Sequence, residues 1–282
     1  MIRLGLHVST RGGYREAAAR AADAGLGAFQ YFPKNPRSVR IKAFDSNDAS
    51  DCAARSKERG IVSIAHGPYP INPAASGEEA RRMAASTLND LAIAEACGSI
   101  GVVVHFGVYK GPDPLPGYRN VIDWLNLVTA AWTGQAKVLL ENQAGDHGAF
   151  GTTPEECVQI RSLCEHPERI AFCLDTCHLF VSGEWPAGDW PAFARRAGSL
   201  GYWESLAAVH LNDAAFAAGS RRDRHAAIGE GLIGAEAFRS MLATPELRAA
   251  PLLLETPTNA DGSHGKQLAL VRRWAEEAEN VK

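Results

Sequence analysis

Residues 171–181 read AFCLDTCHLFV. The apolar run 170–174 ends on Asp175, and His178 follows three residues later. A short apolar run of this kind reads as a buried strand. The carboxylate at its exit and the imidazole one turn on then read as two ligands presented at a strand end. By itself the stretch is equally compatible with a turn-capping Asp175 and a His178 packed under a loop. The rest of the chain decides between them, because the arrangement recurs.

On both sides of this stretch, strand-length apolar runs alternate with helical patterns along all 282 residues. Strands are expected at 3–7, 28–31, 62–66, 101–105, 137–141, 170–175, 206–212 and 252–255. Helices are expected at 14–24, 48–59, 77–97, 120–132, from Thr153 onward, and at 190–200, 234–242 and 266–278. Ser76 with Glu79 and Thr153 with Glu156 have the spacing of capping boxes, the second with Pro154 at the first helical position. Eight strand–helix pairs imply a parallel sheet. At this length they imply a closed (β/α)8 TIM barrel of the α/β class, one domain over 1–282. A doubly wound open sheet is the alternative, but the first strand is not followed by a glycine-rich nucleotide fingerprint.

Apolar residues make up 46% of the chain, enough for a large core. No run approaches the ~18 continuous apolar residues of a transmembrane helix, so no membrane partner is expected. The opening MIRLGLHVST starts as a strand and lacks a signal peptide's long apolar centre. Six cysteines, at 52, 97, 157, 164, 173 and 177, show no compact framework spacing, and several fall inside apolar runs. They read as reduced core thiols of a cytoplasmic protein. A formal charge of −3 excludes a basic, nonspecific nucleic-acid binder on composition alone.

The strand exits carry His7, His66, His105, Glu141, Asp175 with His178, His210 with Asp213, and Glu255. In a barrel these all point to the C-terminal mouth, where active sites sit. One histidine at a strand end is usually hydrogen-bonded structure. So many imidazoles and carboxylates on one rim would, without a cation, be desolvated and mutually repelling. Asp223-Arg224-His225, in a polar basic loop, adds two further donors. A set of imidazole and carboxylate without thiolate suits catalytic Zn²⁺, with Mn²⁺ or Fe²⁺ also compatible. Cys173 and Cys177 are assigned to packing.

This combination resembles endonuclease IV, the family of trinuclear-zinc apurinic/apyrimidinic (AP) endonucleases. The resemblance rests on Gly5-Leu6-His7-Val8-Ser9, Lys34-Asn35, 66–72, Leu140-Glu141-Asn142, Leu174-Asp175-Thr176-Cys177-His178, His210-Leu211-Asn212-Asp213, Asp223-Arg224-His225, Gly229-Glu230-Gly231 and Leu254-Glu255-Thr256. It spans nearly the whole chain.

The resemblance implies three Zn²⁺ per chain. His66 and His105 would hold the first, with Glu141 bridging to the second. Asp175, His210 and Glu255 would complete the second, and His178, Asp223 and His225 would hold the third. Glu141 and Glu255, at the reactive pair, are the catalytic carboxylates. His7, His147, His166 and His264 are left over, His7 as a neighbour of the mouth. Three such ions add six charges and take the formal count from −3 to +3, so an acidic chain can offer a positive mouth to phosphate.

The implied reaction is hydrolysis of duplex DNA 5′ to an abasic site, leaving a 3′-hydroxyl and a 5′-deoxyribose phosphate. Blocked 3′ ends would be trimmed by the same chemistry, in a monomer with no obligate protein partner. Lys34, Arg37 and Arg40, with Arg221, Arg222 and Arg224, read as phosphate contacts. Arg37 and Tyr69 match residues that penetrate the helix at the abasic site.

Three positions depart from the family pattern. Pro70 stands where a Leu-like wedge is usual, His105-Phe106-Gly107-Val108 replaces His-Pro-Gly-Ser, and Gln143 replaces Thr. A competing expectation is a xylose-isomerase-like sugar isomerase or epimerase. That chemistry needs one or two ions and leaves His178, Asp223 and His225 unexplained.

Overall fold

The computed structural model describes residues 2–186 and 188–280. Alternation of apolar runs and amphipathic segments resolves into β1 (Arg3–His7), α1 (Tyr14–Asp23), β2 (Ala28–Tyr31), α2 (Ser46–Arg59), β3 (Val62–His66), α3 (Gly77–Ala96), β4 (Gly101–His105), α4 (Leu115–Ala131), β5 (Lys137–Glu141) and α5 (Pro154–Leu163). The second half follows with β6 (Ile170–Asp175), α6 (Thr176–Ser182), α7 (Trp190–Ser199), β7 (Leu206–His210), β8 (Asp213–Ala214), β9 (His225–Ala226), α8 (Ala235–Leu242), α9 (Pro245–Ala249), β10 (Pro251–Leu254) and α10 (Gly265–Asn280). Eight parallel strands close in the order β1-β10-β7-β6-β5-β4-β3-β2. This is the expected (β/α)8 TIM barrel. Among the described residues, no helix is long and apolar enough to cross a membrane.

The period of two along each strand sorts side chains between two cores. Ala28, Ile64, Val103, Leu139, Cys173, Ala208 and Leu253 form a small cluster that fills the barrel interior. Their neighbours in sequence face outward into the much larger layer beneath the helices, with Phe29, Val102, Val104, Leu140, Phe172 and Leu252 among them. On β1 the inward position is Gly5, where a Cβ would stand 2.0 Å from Ala28 O. Only a hydrogen fits there, because the carbonyl of β2 already occupies the space. All six cysteines are free and buried.

Several boundaries differ from the pattern reading. The fourth helix begins at Leu115, not 120, because Pro116 lies in its first turn, where a missing N–H costs nothing. The seventh strand ends at His210 rather than 212. Asn212 instead turns back, its N–H donating to Thr176 Oγ1 at 2.8 Å. The capping box at Thr153 is complete, but Ser76 makes no side-chain bond to its helix. The pattern reading also passed over α6 and the short antiparallel pair β8–β9, which are too brief to show a period.

Candidate metal centre

Two residues beyond each inward-facing apolar position lies the next inward-facing one, and there the chemistry changes. His7, Gln30, His66, His105, Glu141, Asp175, His210 and Glu255 each stand at or beside the exit of one of the eight strands. Period two therefore delivers one polar side chain per strand to the C-terminal mouth. The helix after β6 adds His178, the β8–β9 loop adds Asp223, and β9 adds His225 at its first position.

Asp175 shows how local structure serves the site. It is the N-cap of α6, its Oδ1 accepting from the His178 N–H at 2.7 Å. That bond starts the helix and brings the His178 ring to the mouth. Asn212 Nδ2 donates to Asp175 Oδ2 at 2.6 Å, and Asn142 clasps the Asp175 backbone at 2.8 and 3.0 Å.

The donors fall into three groups in which ligand atoms lie within 4.8 Å of one another: His66, His105 and Glu141; Glu141, Asp175, His210 and Glu255; and His178, Asp223 and His225. Glu141 belongs to two of them. Its Oε2 lies 3.0 Å from His105 Nε2 and 3.8 Å from His66 Nε2. Its Oε1 lies 2.9 Å from His210 Nδ1. The side chain is 1% exposed, and Oε2 finds no hydrogen-bond donor among the described residues. A buried, unsatisfied carboxylate oxygen facing two imidazole nitrogens fits a cation better than it fits an apolar core. Burial opposes charge on Glu141, but His210 and His105 outweigh it and hold the carboxyl well below its usual range. Glu255 is likewise opposed by burial yet held down to about 2, chiefly by His210 and His66.

Three imidazoles have one nitrogen committed to a main-chain carbonyl, which sets the nitrogen they offer. His66 Nδ1 meets Gly67 O at 2.7 Å, His178 Nδ1 meets Asn142 O at 2.9 Å, and His225 Nδ1 meets Glu255 O at 3.3 Å. Their Nε2 atoms therefore face the carboxylates, His178 toward Asp223 at 3.4 Å and His225 toward Asp223 at 3.5 Å. Cys177 lies with Asp175 and His225, but its thiol turns to Arg224 O at 3.8 Å. Burial pushes its pKa up, against thiolate formation.

Not every residue singled out from the sequence reaches this centre. Asp213 faces away, accepting backbone N–H groups from Ala214, Gly229, Gly231 and Ile233. His7 sits beside the centre, 3.3 Å from Gln30 Nε2, and burial pushes it down to about 4. Lys34 is a correction. Its ammonium is buried, donating to Ser86 O at 2.7 Å and Ser86 Oγ at 2.8 Å, with Asp90 Oδ1 at 3.1 Å. A cation spent in this way cannot also reach a phosphate, so Lys34 is withdrawn as a DNA contact.

Arg37, Arg40, Arg221, Arg222 and Arg224 are exposed. Tyr69 is 66% exposed, its ring edge-on to Phe32 at 5.3 Å, and its N–H donates to Pro36 O at 2.8 Å. A cleft of about 430 Å³ joins Tyr69 and Arg224 to the donor groups. The Phe106 departure is accommodated within the core. Phe106 is fully buried against Phe150 at 5.9 Å, and Gly107 turns the chain with φ +89°. Asn72 then clamps the loop, Oδ1 accepting from the Val108 N–H at 2.9 Å.

The sequence reading missed Gln30. A glutamine inside the buried strand AFQY was the one signal, since a core amide must find partners.

Residues 18–278 match the family model described as xylose isomerase-like TIM barrel. A protein of Symbiobacterium thermophilum named "Probable endonuclease 4" is 40% identical over 272 residues, covering 96% of this chain and 99% of the relative. The crystal structure of endonuclease IV from Thermus thermophilus superposes with a TM-score of 0.85 at 31% identity, covering 98% of this chain and 99% of that one. A D-tagatose 3-epimerase-like protein shares the fold at a TM-score of 0.69 and 18% identity, covering 99% of this chain and 100% of that one. With a 40%-identical endonuclease 4 relative matched over nearly the whole chain, and with the barrel and its mouth described above, the chain belongs to the endonuclease IV family of xylose isomerase-like TIM barrels.

Proposed function

We propose that this protein is a metal-dependent DNA-repair phosphodiesterase. It hydrolyses the backbone 5′ to an abasic site, leaving a 3′-hydroxyl and a 5′-deoxyribose phosphate, and trims blocked 3′ ends. The observation that carries this reading is Glu141, buried and shared between two donor groups, with a third group beside it. Family membership supports the substrate class.

His66, His105 and Glu141 would hold one ion, Glu141, Asp175, His210 and Glu255 a second, and His178, Asp223 and His225 a third. Zn²⁺ suits these donors best. Bound there, such ions would supply Lewis acidity to a phosphoryl group and lower the pKa of water toward neutrality.

The chain's own residues do the rest. Arg224 lines the cleft beside the third group and, with the other exposed arginines, would seat phosphates. Arg37 and Tyr69 stand on loops joined by the Tyr69 N–H to Pro36 O bond, so they would enter the duplex as a unit. A nucleotide that has lost its base is easier to extrude, because its pairing is already gone. Glu141 and Glu255 would be the carboxylates on which turnover depends. We read 1–282 as one domain acting as a monomer. Sugar epimerisation leaves the His178, Asp223 and His225 group without a role.

The test is incubation with a duplex carrying one abasic site, with metal content measured on the same sample. Cleavage on the 5′ side with a 3′-hydroxyl end and close to three metals per chain is expected. Metal-loaded protein that leaves the abasic duplex intact would refute the substrate assignment, and a single metal per chain would refute the three-ion centre.

A further inference from the structure

Burying an amide in a strand is unfavourable unless both ends of the group are bonded. Gln30 is fully buried on β2 and faces inward, two residues beyond Ala28 of the interior cluster. Its Nε2 donates to Glu255 Oε1 at 2.6 Å, and its Oε1 lies 2.7 Å from His210 Nε2. The second amide hydrogen faces His7 Nδ1 at 3.3 Å.

Chemistry fixes the direction of each bond. An ionised carboxylate only accepts, so the amide nitrogen must be the end at Glu255. The amide oxygen then faces His210 and can only accept, so Nε2 of His210 carries a proton and only Nδ1 can give up its own to a metal. Its Nδ1 is left facing Glu141 Oε1 at 2.9 Å, Glu255 Oε2 at 3.3 Å and Asp175 Oδ2 at 3.9 Å. At His66, His178 and His225 the tautomer is set by main-chain carbonyls. His210 differs from them in two ways: it turns Nδ1 inward where they turn Nε2, and a side chain holds it there.

We propose that Gln30 is a positioning residue of the centre formed by Glu141, Asp175, His210 and Glu255, selecting Nδ1 of His210 as the metal-facing nitrogen and pinning the Glu255 carboxylate. The inference rests on the metal reading above. An outer partner of this kind orients the donors before the ion arrives and slows its departure. A glutamine that merely filled the core would be replaced by methionine, of similar length, without consequence for metal. Gln30→Met separates the two roles.

Wild-type and Gln30→Met proteins would be loaded with Zn²⁺, assayed for metal per chain, and mixed with a chromogenic chelator. The expected result is a new fast phase of release in the variant, amounting to one ion per chain and about ten- to a hundredfold faster than in wild type. The remaining ions should leave at the wild-type rate. If Gln30→Met does not fold by circular dichroism, Gln30→Glu serves, because it keeps the size and the acceptor for His210 but withdraws the donor from Glu255. The same fast phase is expected there. Independently, ¹⁵N-histidine NMR of zinc-loaded wild type should place the His210 proton on Nε2. Identical release from wild type and a folded variant, or a proton on Nδ1 of His210, would overturn the role of Gln30 alone. Wild-type protein that takes up no metal would overturn the metal reading and this inference with it.

Discussion

Lys34 and Asp90 face each other at 3.1 Å between the loop after β2 and helix α3, with side chains 3% and 0% exposed. The pair anchors the loop that carries Arg37 from beneath, so Lys34 acts on that loop's position rather than on DNA. Above pH 7, where Asp90 is ionised, removing Lys34 leaves a buried charge unpaired. Lys34→Met should therefore cost roughly 3–5 kcal/mol in urea unfolding. A cost below about 1 kcal/mol, the range of an exposed pair, would contradict the anchor role.

The same pair predicts a pH dependence. Burial pushes Asp90 up from 3.8 to about 7, outweighing the pull of Lys34. A carboxyl whose folded pKa lies above its unfolded value binds a proton more readily in the folded state. Its contribution is thus complete below about pH 4 and is lost as pH rises toward 7. Asp90→Asn should flatten the stability profile across that window relative to wild type, as read by urea titrations at fixed pH. Parallel profiles would show that Asp90 titrates normally.

Glu255→Gln removes a charge from the centre that His210 and Glu141 share. Turnover of abasic duplex should fall by about a hundredfold or more while the circular dichroism spectrum is unchanged. A rate within a few-fold of wild type would remove Glu255 from the reactive pair.

Arg37→Ala should weaken binding to abasic duplex with metal content retained. The slope of log affinity against log salt should drop by about one, as expected for one lost phosphate contact. An unchanged affinity across salt concentrations would take Arg37 off the DNA-facing surface.

Two serine/threonine caps with the same sequence signature should behave differently. Thr153 receives the Glu156 N–H and completes its box, so Thr153→Ala should cost about 1 kcal/mol. Ser76 makes no such bond, so Ser76→Ala should be close to neutral. Equal costs in thermal unfolding would show that the Ser76 cap forms in solution.

The caps illustrate where sequence reading stops. The S/T-x-x-E spacing permits a box but does not fix the φ/ψ of the residue that must close it. Gly77, with φ +62°, leads the chain into α3 differently from Pro154 at α5. Strand positions were far more legible. An inward-facing run must be apolar over its own length, so seven of the eight mouth residues could be named from the exits of such runs. Gln30 was passed over because glutamine is not a common metal ligand and its partners were invisible.

Hydrophobic period and residue type are local properties, and they were enough for the barrel, the starts of most strands and the polar residues at the strand exits, while the resemblance to endonuclease IV was needed to narrow these to nine donors. Three matters had to wait for the folded chain: that Lys34 is buried, that Asp213 turns from the mouth, and that Nδ1 of His210 faces the carboxylates. Each depends on an atom brought from elsewhere in the chain, as Gln30 is to His210 across 180 residues. A hydrogen bond is decided by where its partner stands, and the closure of the barrel sets that place.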